Sequence, residues 1–178
     1  GDEVTVITAP KIRSGSESES ENIRIGLIGC GGIAHYHLRH LLDLPQAKVV
    51  ALADPDAKSI EKLREAFPQV DKCEAFFDYC EMLDSVNLDA VEILTPHTLH
   101  FEQIMESLRR GLHVLVEKPL DVTVEGAEAM VRAARDAGVL LQVDFHARYD
   151  PDHRALERRV RAGDLGAILY GSVHMEDR

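Results

Sequence analysis

Short apolar runs alternate along the chain with longer segments in which apolar residues recur every three or four positions. The runs at 24–28, 49–53, 90–94, 113–116 and 140–145 have the length and composition of parallel strands covered on both faces. The segments 33–42, 57–66, 99–110 and 124–137 carry helical spacing, as in Phe101, Ile104, Met105 and Leu108. Gly111 and Gly138 fall just past two of these helices, where a left-handed cap is often needed. Alternation on this scale predicts an α/β fold with a doubly wound, mostly parallel sheet, right-handed crossovers and ligands at the carboxyl ends of the strands.

The first strand runs directly into residues 29–34, GCGGIA, a G-x-G-x-x-A pattern. In a dinucleotide-binding unit Gly29 makes the tight turn, Gly31 lets the backbone approach a pyrophosphate, and the small Ala34 lets the helix pack on the strand. Gly32 and Ile33 open that helix, whose N–H groups and positive dipole end would face the phosphates. Asp54 closes the next apolar run, about two dozen residues beyond Gly29, where an acid accepts hydrogen bonds from the adenosine ribose. A carboxylate there favours NAD over NADP, since it repels a 2′-phosphate. Such a turn without any ligand is the plainer alternative, as is an exposed turn aspartate before Pro55.

Both ends depart from the alternation. Residues 4–8 could pair as a short strand, but 14–22 (SGSESESEN) is polar and acidic and reads as a linker. The tail offers a helix at 151–162, a turn at 163–166 and a strand at 167–174. One helix and one strand cannot close a core of their own. The expected organisation is therefore an extension and linker at 1–22, a dinucleotide-binding domain of the Rossmann kind at 23–147, and a truncated start of a second α/β domain at 148–178.

Composition narrows the function classes. The 178 residues are 45% hydrophobic and 29% charged, as in a globular protein, and a formal charge of -11 gives nucleic-acid binding little electrostatic support. Cys30, Cys73 and Cys80 are odd in number and lack metal or redox spacing, which favours a reducing, cytoplasmic setting. Neither a membrane span nor a signal core is legible. His37 and His40 could share a helical face, but no neighbouring cysteine or carboxylate completes a metal set, so no metal is expected.

Three loops after apolar strands carry chemistry: residues 29–34, residues 95–100 (TPHTLH), and Glu117, Lys118 and Pro119. Near a reacting alcohol or carbonyl, the Lys118 ammonium can hold the oxygen and exchange a proton with it, with Glu117 orienting it. A solvated surface lysine is the alternative. In this order and spacing, GCGGIA, ADPD at 53–56, TPHTLH and above all EKP at 117–119 resemble the glucose-fructose oxidoreductase and inositol dehydrogenase family, from residue 23 onward.

The resemblance implies an NAD- or NADP-dependent oxidoreductase acting on a sugar, cyclitol or related carbonyl compound. It implies Lys118 as the residue at the reacting oxygen and a candidate cis bond before Pro119. It also implies cofactor contacts from Thr95, Pro96, His97, His100, Glu117 and Arg148. His97 stands where the family often has asparagine. Because family enzymes complete their substrate pocket with a second α/β domain, the chain is expected to bind cofactor without a complete catalytic site. Exposed apolar surface would then favour a homo-oligomer. A cofactor-binding module without turnover and a nicotinamide-dependent glycosidase are the alternative functions.

Overall fold

The computed structural model describes residues 22–172, and the sequence-based strand at 4–8 lies outside them. The alternation folds as β1 (Ile23–Ile28), α1 (Gly32–Leu41), β2 (Ala47–Ala53), α2 (Ala57–Ala66), β3 (Glu74–Phe76), α3 (Tyr79–Ser85), β4 (Ala90–Ile93), α4 (His100–Arg109), β5 (His113–Glu117), α5 (Val124–Ala137), β6 (Leu141–Asp144) and α6 (Pro151–Ala162). The six strands form one sheet in the order β3-β2-β1-β4-β5-β6, and every pairing is parallel. The order reverses at β1, which places a crevice beside its carboxyl end, where open α/β sheets take ligands.

Side-chain alternation divides the strands between two apolar layers. Ile25, Leu27 and Leu52 pack with Ala34 and Leu38 of α1 and with Ile60 and Leu63 of α2. Ile28, Ala51, Ala53, Val91, Ile93, Val114 and Val116 pack with Met82 of α3, Ile104 and Leu108 of α4, and Met130 of α5. Gly26 lies tightly packed on the second face: a Cβ there would lie 2.9 Å from Leu88 Cδ1 and 3.0 Å from Met82 Cε, the ends of two side chains that would have to shift.

Of the described residues, 22–144 form one compact unit, and a second begins at Phe145. In the second unit Asp150 caps α6 by accepting from the Asp152 and His153 N–H groups, and Gly163 ends it at φ 79°. The turn at 163–166 is present, with Gly166 at φ 63°. The expected strand at 167–174 does not form over its described residues, 167–172. Leu169 and Tyr170 are 95% and 85% exposed, and an apolar run with no neighbouring ladder leaves its backbone to water. The sequence reading also passed over β3 and α3. The former has only three residues at the sheet edge, and the latter is a seven-residue helix started by the Asp78 side chain accepting from the Cys80 N–H.

Candidate functional site

The loops singled out in the sequence all leave the carboxyl ends of strands. Gly29 follows β1 at φ 95°, a left-handed conformation that L side chains resist. An added Cβ would meet the Leu94 carbonyl carbon and oxygen at 3.0 Å. Gly31 has another reason to be glycine. As N-cap of α1 its φ is -74°, yet a Cβ on Gly31 or Gly32 would meet nothing within 4 Å. The space above this turn is open. No side chain caps α1 and no acid stands in its first turn, so its positive end is available to an anion.

Asp54 binds the same turn from the end of β2. Its Oδ2 accepts the Cys30 N–H at 2.8 Å and its Oδ1 accepts the Asp56 N–H at 2.8 Å. Each oxygen keeps acceptor capacity for a hydroxyl donor. Cys30 is buried, and its thiol is pushed up to about 12 by that burial first and by the Asp54 charge second, so it offers no thiolate near neutral pH.

The loop after β4 and the loop after β5 are joined by His100. Its fully buried ring places Nδ1 2.9 Å from the Pro119 carbonyl oxygen and Nε2 3.0 Å from that of Thr95. Thr95 Oγ1 donates to Gln103 Oε1. Pro96 and His97 are exposed, the latter in a single 3-10 turn, His97–Leu99. Glu117 is buried at the end of β5 while Lys118 and Pro119 are exposed, and the bond between the latter two is cis. Arg148 belongs to the second unit, where its guanidinium carbon lies 5.4 Å from the Phe145 ring centroid.

The sequence reading missed a buried polar cluster. His37, on α1, directs Nδ1 to Glu92 Oε1 at 2.7 Å and Nε2 to Glu117 Oε1 at 3.0 Å and Asp144 Oδ2 at 3.4 Å. The ring is pushed up to about 9, chiefly by the hydrogen bond with Glu92, with further support from the Glu92 charge, the Glu117 hydrogen bond and the Asp144 charge; burial opposes the rise. His37, Glu117 and Asp144 bring ligand atoms within 4.8 Å of one another, but the separations are those of hydrogen-bonded ion pairs, in which a ring proton supplies the positive charge. One signal was available: Glu92 is the single charged residue in the apolar strand AVEI.

A crossing point at β1, an open glycine turn before an uncapped helix, and an acid beside it define a dinucleotide-binding α/β domain. A sequence profile described as an oxidoreductase family with an NAD-binding Rossmann fold matches residues 23–145, and the chain belongs to that family. It is 32% identical to the scyllo-inositol 2-dehydrogenase (NAD(+)) of Bacillus subtilis over 149 residues, which are 83% of this chain and 43% of that protein. It is 32% identical over 165 residues to the D-apiose dehydrogenase of Paraburkholderia graminis, covering 93% of this chain and 43% of that one. Among solved structures, the WlbA dehydrogenase of Bordetella pertussis, in complex with NADH and UDP-GlcNAcA, superposes with a TM-score of 0.75 at 29% identity, over 82% of this chain and 41% of that one. The chain thus spans under half the length of these relatives. No helix among the described residues is long and apolar enough to cross a membrane.

Proposed function

We propose that this chain is the NAD-binding part of an oxidoreductase that moves hydride between nicotinamide and a hydroxyl-bearing carbon of a sugar or cyclitol. The observation that carries the reading is that the three loops leave one edge of the sheet, two of them tied to each other and the third tied to the acid at the end of β2. Asp54 holds the glycine turn after β1, and His100 links the loops that follow β4 and β5. The bound nicotinamide would supply the hydride acceptor.

Gly31, Gly32, Ile33 and Ala34 present the open turn and helix start to the pyrophosphate, with Gly29 setting the turn itself. Asp54 accepts from the adenosine ribose hydroxyls and disfavours a 2′-phosphate, so NAD is preferred to NADP. Thr95, Pro96, His97 and Glu117 are assigned to the cofactor's surroundings, and His100 acts there through the two carbonyls it joins. Lys118, exposed at the mouth of the β5 loop, holds the reacting oxygen and exchanges its proton. Sugar-like substrates are supported by the relatives' names, inositol and D-apiose dehydrogenases. Val122 and Val124, 65% and 69% exposed, support self-association of a cytoplasmic protein, and a concentration-independent monomer in sedimentation would contradict it.

Calorimetric titration of the chain with NAD and NADP, alongside Asp54→Asn, tests the assignment. Saturable NAD binding is expected, with NADP at least tenfold weaker and that gap narrowed by the substitution. Equal affinities unaffected by Asp54→Asn would overturn it.

A further inference from the structure

Both ring nitrogens of His37 face carboxylate oxygens, at 2.7 Å on Nδ1 and at 3.0 and 3.4 Å on Nε2. An ionised carboxylate only accepts hydrogen bonds. A neutral imidazole has one N–H, so one of its sides would turn a lone pair toward an oxygen. An imidazolium donates from both, and with the three carboxylates ionised it is the form that satisfies the arrangement; a neutral ring would need one carboxyl to keep its proton and donate it.

The partners occupy corresponding places. Glu92 lies in β4, Glu117 ends β5 and Asp144 ends β6, so they come from three adjacent strands of the sheet. Val91, Ile93, Val114 and Val116 point into the apolar layer of α3, α4 and α5. Strand alternation therefore sends Glu92 and Glu117 to the opposite face, where α1 carries His37. Along α1 itself the Tyr36 ring lies 6.0 Å from the His37 ring, and His40 packs on Tyr36. Glu92 is 4% exposed and its Oε2 has no hydrogen-bond partner among the described residues. Burying an acid this way is costly unless its other oxygen meets a charge.

Glu117 is constrained at both oxygens. Oε1 meets the His37 ring, while Oε2 accepts the backbone N–H of Lys118 at 2.9 Å. The position of the ring is passed through one carboxylate to the peptide from which the Lys118 side chain departs.

We propose that His37, as an imidazolium held by Glu92 and Asp144, is a positioning residue for Lys118, acting through Glu117. This rests on the reading of Lys118 as the group at the reacting oxygen. The ring nowhere touches substrate in this scheme: it fixes the backbone amide beside the reacting group and ties α1 to the ends of three strands. The raised affinity of the ring for its proton, with a midpoint near 9, agrees with a charge kept throughout the neutral range.

The test is nitrogen-15 NMR of the full 178-residue chain from pH 6 to 10, following the His37 ring nitrogens and the Lys118 amide, with metal content measured on the same sample. Both ring nitrogens are expected to stay protonated at pH 7.5. The Lys118 amide resonance is expected to follow the ring with the same midpoint, near 9, and to lose that response in His37→Gln. Glu92→Gln should lower the ring midpoint by at least one pH unit. The two wild-type traces decide the matter even should a variant fail to fold. A ring neutral at pH 7.5, a Lys118 amide indifferent to the ring, or a stoichiometric divalent ion in the cluster would overturn the proposal. Adding NAD separates the two readings: an imidazolium coupled to Lys118 in a chain that ignores NAD sinks the cofactor assignment, whereas NAD binding beside a neutral ring sinks the bracing role.

Discussion

Raising the pH from 7 to 9 should remove a defined part of this protein's stability, and His37→Gln should abolish that loss. The ring's affinity for its proton is raised from 6.5 to about 9 on folding. A group whose folded value lies above its unfolded one contributes stability that is fully present below the unfolded value and is lost as the pH rises through the folded one. The window is therefore pH 6.5 to 9. Each tenfold gain in proton affinity on folding corresponds to about 1.4 kcal/mol, and the ring is 8% exposed, so screening by solvent is small. Integration gives a loss of about 2 kcal/mol between pH 7 and 9. The chain has no tryptophan, so the assay is urea unfolding followed by far-ultraviolet circular dichroism with thiols kept reduced. The difference between wild type and His37→Gln should shrink by that amount across the window, or about 1 M in urea midpoint. Cysteine ionisation above pH 9 affects both proteins and cancels in the difference. A difference that stays constant from pH 6 to 9 would mean that the ring carries no proton beyond its ordinary range, and the ion-pair account of the cluster would be wrong.

Two glycines of one turn should behave oppositely. Gly29→Ala places a side chain at φ 95° and 3.0 Å from the Leu94 carbonyl, so stability should fall by about 2 kcal/mol or more; an unchanged urea midpoint would contradict this. Gly31→Ala adds a methyl into open space at φ -74°, so stability should move by no more than about 0.5 kcal/mol. Its NAD affinity should nevertheless fall at least tenfold in a calorimetric titration.

The alternation of apolar runs located all the strands that form the sheet centre, because a strand buried on both faces leaves a continuous apolar signature. It missed β3, which needs only three backbone pairings with β2 and exposes Glu74 and Ala75. At 167–172 the same signature was misleading. Apolar residues without a neighbouring ladder remained exposed, since pairing is a property of the surroundings and not of the segment. The positions of candidate site residues were legible where one short motif sufficed, as with Gly29, Gly31, Asp54 and Lys118, which all stand at the carboxyl ends of strands. His37 could not be read in this way, because its partners lie 55, 80 and 107 positions away. His100 illustrates a different limit. Its place in TPHTLH suggested a contact with the cofactor, whereas its buried ring spans two backbone carbonyls.

The central claim is that a dinucleotide lies across the carboxyl edge of this sheet. Its most direct test is to add NAD to the nitrogen-15-labelled chain and map the changes in the backbone amide resonances. Saturable changes confined to residues 29–34, Asp54, residues 95–97, Glu117 and Lys118 are the predicted result. Changes centred elsewhere, or none at millimolar NAD, would contradict it.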